Sequence, residues 1–334
     1  LEVIHTVTPE QRAQTAAFLN ACPITVQPLE SPSLLDMIVT VFSDGHQASV
    51  RISDHHTHIA RIEKDGQVLF SGQSKAGATE NELDYSLLNI EDICAFADCL
   101  RCEDVKDVLD RQIECNTAIA SEGMRNGWGA SIGPVLLNVY GDDLRTRAKA
   151  MAAAGSDARM SGCEMPVVIN SGSGNQGLTV SMPVIEYAKE YGKTKDELYR
   201  ALVVANLSSI HQKNAIGKLS AYCGAVTAGS GAGAGIAYLL TGDYVTVAHT
   251  IVNALAIVSG IVCDGAKPSC AAKIASAVDA GILGFEMYQR GKEFYGGDGI
   301  ISKGIENTIR NVGLLGREGM RETDRQILQI MTGQ

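Results

Sequence analysis

The 334-residue chain carries 28 Lys and Arg against 38 Asp and Glu, so its formal net charge at pH 7 is −10. Such a balance repels a polyphosphate backbone and argues against nucleic acid as a partner. Hydrophobic residues at 45% and charged residues at 20% are ordinary for a globular protein, which excludes a largely disordered chain.

Four short segments between residues 35 and 70 alternate apolar and polar side chains, as the strands of a half-buried sheet do. Asp-Gly pairs at 44–45 and 65–66 are strong signals for tight hairpin turns. Residues 1–80 are therefore predicted to form a small antiparallel β-sheet subdomain with a helix. His56, near the start of one strand, is a candidate metal ligand or base, although a solvated sheet edge is the commoner setting for such a histidine.

From residue 81 to residue 334 the pattern is helical, with apolar residues three and four apart and Gly, Asp and Pro between the segments. We expect helices over residues 89–101, 103–120, 143–154, 180–190, 195–212, 215–240, 244–260, 268–290, 302–318 and 320–332. The predicted fold class is α+β, with a large, mainly α-helical domain and a small antiparallel sheet.

Two consecutive segments, 221–240 and 244–262, are apolar around their whole surface, so they belong at the centre of the helical domain. The first is rich in Gly and Ala, which lets helix backbones approach closely. The second is nearly long enough to span a membrane, but His249 and Asn253 lie within it and acidic residues bracket it. No membrane partner is expected, and a self-associating surface around these helices is compatible with a homo-oligomer.

A Gly/Ser/Asn segment directly before an apolar helix is the candidate substrate-binding loop, and it consists of Ser171, Gly172, Ser173, Gly174, Asn175 and Gln176. Its backbone N–H groups and the positive end of the helix suit a carboxylate. The loop lacks the lysine of a Walker nucleotide-binding loop, and no strand precedes it. A flexible Gly/Ser connection explains the spacing alone equally well.

Nine scattered cysteines form no disulfide framework, which indicates a reducing, cytoplasmic compartment. Cys223 lies forty positions before Cys263, and an antiparallel helix pair of that length returns the chain to its starting point. Cys270 follows Pro268 in the first turn of the next helix, where the helix dipole stabilises a thiolate. These three thiols are predicted to converge and to bind zinc or an iron-sulfur cluster, although each alone is more simply a small core residue.

His211 lies near the end of a predicted helix, in the company of Asn206, Ser208 and Ser209. Polar neighbours of this kind are unusual on a core helix. His211 is therefore a second candidate for a general acid or base.

Five motifs, in matching order and spacing, carry a resemblance to a known family. They are Ser156-Asp157-Ala158-Arg159-Met160, Asn170-Ser171-Gly172-Ser173-Gly174-Asn175-Gln176-Gly177, Leu219-Ser220-Ala221-Tyr222-Cys223, Cys263-Asp264-Gly265-Ala266 and Thr323-Asp324-Arg325-Gln326-Ile327. In these residues the chain resembles the L-cysteine desulfidase family, which is related to the alpha chain of the bacterial iron-sulfur L-serine dehydratases.

The resemblance implies a lyase with a four-iron four-sulfur cluster and no pyridoxal phosphate, whose catalytic domain is residues 81–334. In such enzymes three cysteines hold the cluster, and Cys223 and Cys263 match two of them. Desulfidases take the third from an Ala-Leu-Gly-Cys-Thr-Glu-Pro block near the N-terminus, and dehydratases take it from a cysteine shortly after the Cys263 position. That block does not occur here, so Cys270 is the substitute in view.

Leu1 corresponds to a point inside the family's usual length, so the first stretch of the domain is expected to lie upstream of this sequence. If the natural chain carries the missing block, these 334 residues hold two of three ligands and should bind the cluster poorly or not at all.

The implied reaction is a β-elimination from a small-molecule amino-acid substrate. In this reaction an iron with a free coordination position would bind the leaving group, and loop 171–176 would bind the carboxylate. His56 or His211 would take the α proton. L-cysteine would give pyruvate, ammonia and sulfide, and L-serine differs by one leaving-group atom. Two other classes stay open: a cluster-free binding or scaffold protein of the same fold, and a structural zinc protein.

Overall fold

In the computed structural model, which describes residues 7–33, 35–54, 57–72, 84–217 and 219–333, the alternating segments form strands. These are β1 (Asp36–Ser43), β2 (His46–Ser53), β3 (Ile59–Lys64) and β4 (Gln67–Ser71). They pair in the order β1-β2-β3-β4, each antiparallel to the next. Both residues of Asp44-Gly45 and of Asp65-Gly66 have positive φ angles, as two-residue type I′ hairpin turns require. The predicted antiparallel sheet is confirmed.

An ion pair between Asp36 and Arg51 joins β1 to β2. Arg51 Nε donates to Asp36 Oδ1 at 2.9 Å, and the Ser31 hydroxyl donates to Asp36 Oδ2 at 2.6 Å. The side chain of Asp36 is only 2% exposed. These hydrogen bonds favour the ionised carboxylate and lower the pKa of Asp36 to about 2.

Helices make up most of the remaining described chain. Their bounds are α1 (Pro9–Ala21), α2 (Ile90–Cys99), α3 (Lys106–Arg125), α4 (Ile132–Tyr140), α5 (Leu144–Met160), α6 (Gly174–Glu190), α7 (Lys195–Ile216), α8 (Gly224–Thr241), α9 (Tyr244–Ile257), α10 (Cys270–Gln289), α11 (Ile305–Leu314) and α12 (Arg321–Thr332). The predicted α+β fold class is therefore confirmed. Two differences from the sequence prediction are that α4 was not predicted, and that the helix predicted over 215–240 begins at Gly224.

The described residues fall into two compact units, one drawn from Leu1–Asp84 with Arg325–Gln334 and the other from Tyr85–Asp324. The sheet belongs to the first unit, and α2 to α11 belong to the second. None of the helices in the described ranges is long and apolar enough to cross a membrane.

Helix α8 is the centre of the helical unit, since every residue from 225 to 239 is buried. It packs on α10 backbone to backbone: a Cβ added to Gly233 would lie 2.6 Å from Gly281 O, and one added to Gly281 would lie 2.2 Å from Gly229 O. Gly229 also faces Ala277. Because the residue numbers rise together along both helices, α8 and α10 run parallel and begin at the same end.

Helix α6 begins at that end as well. A Cβ added to Gly224, the first residue of α8, would lie 2.5 Å from the amide carbon of Gln176 in the first turn of α6. Helix α5 runs antiparallel to α6, since Gly155 approaches Leu178 while Arg159 approaches Gly174. The start of α6 therefore meets the start of α8 and the end of α5.

Candidate functional site

Two short extended segments, residues 221–223 before α8 and residues 261–263 before α10, lie side by side. Tyr222 and Val262 form an isolated antiparallel bridge. Cys223 N donates to Ile261 O at 2.8 Å, and Cys263 N donates to Ala221 O at 2.7 Å. Because alternate residues of an extended segment point to the same face, Cys223 and Cys263 share the face opposite to Tyr222 and Val262.

The two thiols form a hydrogen bond with each other. This bond lowers the pKa of Cys263, and the backbone N–H of Gly265 and the nearby Lys273 ammonium lower it further. The same bond and burial raise the pKa of Cys223. The pair therefore loses one proton readily and the second with difficulty, and its thiolate is the form that acts as a metal ligand or nucleophile.

Cys270 is the first residue of α10, as the sequence predicted. Its Sγ donates to Gly265 O at 3.7 Å, and its charge would interact with that of Cys223 across the site. Lys273 Nζ contacts the Asp264 carboxylate and donates to Val262 O at 2.8 Å, which fixes the turn that carries Cys263.

The cysteines fit part of the ligand set that an iron-sulfur cluster needs. Cys223 and Cys263 share one face, and their pair supplies a thiolate. Within the part of the chain that the structure describes, no group of three or more His, Cys, Asp or Glu side chains is arranged to hold a metal ion. The structure therefore brings Cys223 and Cys263 together, whereas Cys270 does not form a three-ligand group with them in the described chain.

The candidate substrate-binding loop begins with a tight turn, which hydrogen bonds to helix α7 hold in place. Asn170 N donates to Ser173 O at 3.1 Å and Ser173 N donates to Asn170 O at 3.0 Å, while Ser171 and Gly172 between them have φ angles of 49° and 80°. Asn170 Nδ2 donates to Asn206 Oδ1 at 2.9 Å, and the Ser209 hydroxyl donates to Asn170 Oδ1 at 3.2 Å. Asn206 and Ser209, two of the polar side chains on α7, thus support this loop.

Ser173 caps helix α6, and its side chain accepts a hydrogen bond from Gln176 N. The backbone N–H groups at the start of a helix have no partners within the helix, so they can bind an anion. The loop predicted from sequence is therefore positioned at a helix start. Whether residues 171–176 bind substrate remains a prediction.

Of the two histidines named as candidate bases, His211 lies within the described residues and contacts a carboxylate. His211 Nε2 lies 2.6 Å from Glu306 Oε2, and its side chain is 14% exposed. Burial tends to raise the pKa of Glu306, but the hydrogen bonds with His211 and with Ile90 N outweigh it and lower that pKa. His56 lies outside the described residues.

Lys213 is a site residue that the sequence analysis did not identify. Its Nζ donates to Gly217 O at 2.8 Å, and its charge interacts with those of Cys263 and Cys223. Burial lowers its pKa. A lysine near the end of a polar helix looks like a solvated, dipole-stabilising charge, so no signal in the sequence distinguished it.

Asp157 and Arg159, which belong to the same sequence motif, form no ion pair with each other. Asp157 is completely buried, and its carboxylate accepts hydrogen bonds from Ile132 N at 2.7 Å and Ala130 N at 3.3 Å. Burial raises the pKa of Asp157 despite these bonds. Asp157 thus fixes the start of α4. The Arg159 side chain instead lies against Gly174, at the start of α6.

The molecule is thus an α+β protein with a pair of hydrogen-bonded thiols at the start of its buried helices, next to a loop suited to a carboxylate. The model of the family described as serine dehydratase alpha chain matches residues 1–329. The chain belongs to that family, so the resemblance seen in the motifs is confirmed at this level.

Several bacterial relatives are similar over nearly the whole chain. A UPF0597 protein of Desulfitobacterium hafniense strain Y51 is 56% identical over 100% of this chain and 78% of its own length. A UPF0597 protein of Lachnoclostridium phytofermentans is 51% identical over 99% and 79%, and one of Bacteroides thetaiotaomicron is 36% identical over 99% and 78%. No solved structure is significantly similar to this chain.

Proposed function

We propose that this protein is a lyase that removes the β substituent of a small L-amino acid, with L-cysteine as substrate and pyruvate, ammonia and sulfide as products. L-serine dehydration is the alternative within the same chemistry. The observation that carries the proposal is that Cys223 and Cys263 meet, because the resemblance in the sequence motifs implies these two residues as cluster ligands.

We propose Cys223 and Cys263 as two ligands of a four-iron four-sulfur cluster. The third ligand is either Cys270, which would have to approach the pair, or a cysteine of the family's N-terminal block that lies outside these 334 residues. When bound, such a cluster supplies an electron-withdrawing iron for the leaving group. The readily formed thiolate of the pair supports this assignment, since a thiolate and not a thiol is the ligand form.

The chain's own residues account for binding and proton transfer in this proposal. The loop of residues 171–176 and the first N–H groups of α6 bind the substrate carboxylate. His211, or alternatively His56, takes the α proton. Glu306 orients the His211 ring and would stabilise its protonated form after the transfer. Hydrosulfide then leaves from the β carbon of L-cysteine, and water hydrolyses the resulting aminoacrylate, in its imine form, to pyruvate and ammonia.

The test uses the full natural chain, prepared anaerobically and reconstituted with iron and sulfide. We would measure iron content, visible absorption, and the release of pyruvate and sulfide from L-cysteine and of pyruvate from L-serine. The variants are Cys223→Ala, Cys263→Ala and Cys270→Ala. Cys99→Ala is the matched control, because Cys99 is exposed on α2.

The proposal expects a coloured protein that releases pyruvate and that loses both properties on Cys223→Ala or Cys263→Ala but not on Cys99→Ala. Loss on Cys270→Ala as well would assign the third ligand. A colourless protein, inert with both amino acids and indifferent to all four substitutions, would contradict the lyase proposal. A colourless protein with stoichiometric zinc that depends on the cysteine pair would identify a structural zinc site instead.

A further inference from the structure

Arg159 is a partly buried cation that no carboxylate neutralises. It lies in the last turn of α5, and no Asp or Glu of the described ranges forms an ion pair with it. Its guanidinium makes one hydrogen bond to a side chain, from Nη1 to Asn175 Oδ1 at 3.3 Å. Burial lowers its pKa, because removing a charge from water is unfavourable without a counter-charge.

The guanidinium lies against the first turn of α6. A Cβ added to Gly174 would be 2.4 Å from Arg159 Nε, so the arginine side chain occupies the space that a larger residue at 174 would need. The guanidinium N–H groups and the unpartnered N–H groups of the helix start are all donors, and the contact at Gly174 brings them close together. Donors gathered in this way attract an anion, and a guanidinium fork matches the two oxygens of a carboxylate.

Gln176 contributes an acceptor beside these donors. It is 7% exposed, and its Oε1 is buried without a hydrogen-bond partner among the described residues. Its amide lies against Gly224, the residue that follows Cys223. A buried acceptor without a partner destabilises a protein unless a ligand satisfies it, so a donor group is expected at this point.

We propose that Arg159 and Gln176 recognise the two charged groups of a free L-α-amino acid. Arg159 and the start of α6 bind the carboxylate, and Gln176 Oε1 accepts a hydrogen bond from the ammonium. This assignment rests on the proposed function, and it places the amino acid beside Gly224, the residue that follows Cys223. The substrate class is then free amino acids, and peptides and amino-acid amides, which lack the carboxylate, are excluded.

The assignment is tested by binding, with a ligand that cannot react. L-alanine has the carboxylate and the ammonium but no leaving group. Its dissociation constant for the reconstituted full chain would be measured by calorimetric titration, beside those of propionate, which lacks the ammonium, and L-alaninamide, which lacks the carboxylate. The wild-type protein should bind L-alanine more tightly than either analogue.

Arg159→Gln should weaken L-alanine binding about a hundredfold, because a desolvated carboxylate loses its charged partner. Arg147→Gln is the matched control: it removes the same charge from α5 at a surface ion-pair network and should leave the constant unchanged. Gln176→Leu should weaken L-alanine binding roughly tenfold and leave propionate binding unchanged. Arg159→Lys, which keeps the charge but not the fork, should fall between wild type and Arg159→Gln.

Absence of L-alanine binding to the wild-type protein, or equal binding by wild type, Arg159→Gln and Arg159→Lys, would overturn this assignment. A protein that binds L-alanine through Arg159 but releases no pyruvate from L-cysteine or L-serine would uphold the assignment and refute the proposed lyase function. The two proposals can therefore fail separately.

Discussion

Substitution of Gly281 by alanine is expected to destabilise the helical unit, because α8 and α10 touch through their backbones at this residue. The added Cβ would lie 2.2 Å from Gly229 O, well inside any real carbon–oxygen contact. The obstacle is a main-chain carbonyl in the middle of a buried helix, so no side-chain rotation relieves it. The two helices must move apart, and buried neighbours on both then lose contact.

The magnitude follows from two opposing contributions. Alanine is favoured over glycine inside a helix by about 1 kcal/mol. Overpacking of a filled core costs up to about 3 kcal/mol, and a contact with rigid backbone belongs at the upper end of that range. The free energy of unfolding of Gly281→Ala should therefore fall by about 2 kcal/mol.

Urea unfolding followed by circular dichroism measures this change. Ser276→Ala is the control, because Ser276 is exposed on the same helix. Its unfolding free energy should stay within about 0.5 kcal/mol of wild type. A Gly281→Ala protein as stable as wild type would refute the parallel, backbone-to-backbone packing of α8 and α10.

Three further predictions concern other contacts. Cys223→Ser should shift alkylation of Cys263 in the metal-free protein to higher pH, because the thiol hydrogen bond that lowers the pKa of Cys263 is weakened. Peptide mass spectrometry follows the labelling, and an unchanged pH profile would count against the pair. Asp36→Asn should lower stability at neutral pH. Since the folded pKa of Asp36 is depressed to about 2, the difference from wild type should be complete above about pH 4 and disappear as the pH falls towards 2, and a pH-independent difference in urea unfolding would be inconsistent with the ion pair. Asn206→Ala should reduce unfolding free energy by about 1–3 kcal/mol, because it removes both hydrogen bonds of the Gln112 amide and one acceptor of Asn170, and a change below about 0.5 kcal/mol would argue against that network.

The sheet could be predicted because its information is local. Alternation in β1 to β4 and the Asp-Gly turns depend only on neighbouring residues, and a short residue span decides them. Helix α4 shows the opposite case. It starts with Ile132-Gly133-Pro134, preceded by Ser131 in the left-handed conformation, and Asp157 from α5 binds its first N–H. A helix start supported by a distant carboxylate leaves no mark near its own sequence.

The part of the candidate site that could be predicted is the meeting of two cysteines, because it follows from the number of residues between them. The spacing between Cys223 and Cys263 indicated that they meet, and they do so across the Tyr222–Val262 bridge. The role of Arg159 was not predictable, because its neighbour at Gly174 belongs to another helix and the sequence shows only a nearby Asp157. Glycine at 174 suggests flexibility in a sequence, whereas in the fold it leaves room for a guanidinium.

At the common end of α6, α8 and α10, the residues proposed to bind a ligand are different from the residues that pack the helices together. The glycine contacts that fix these helices lie about one and a half to three turns inside them, at Gly229, Gly233 and Gly281. The connections that reach the helix starts, residues 161–173, 217–223 and 258–269, are outside those contacts. Substitutions elsewhere in these connections, with Cys223, Cys263 and Asn170 kept, can therefore alter substrate preference while the helix packing is unchanged, which makes them the natural targets for redesigning specificity on this scaffold.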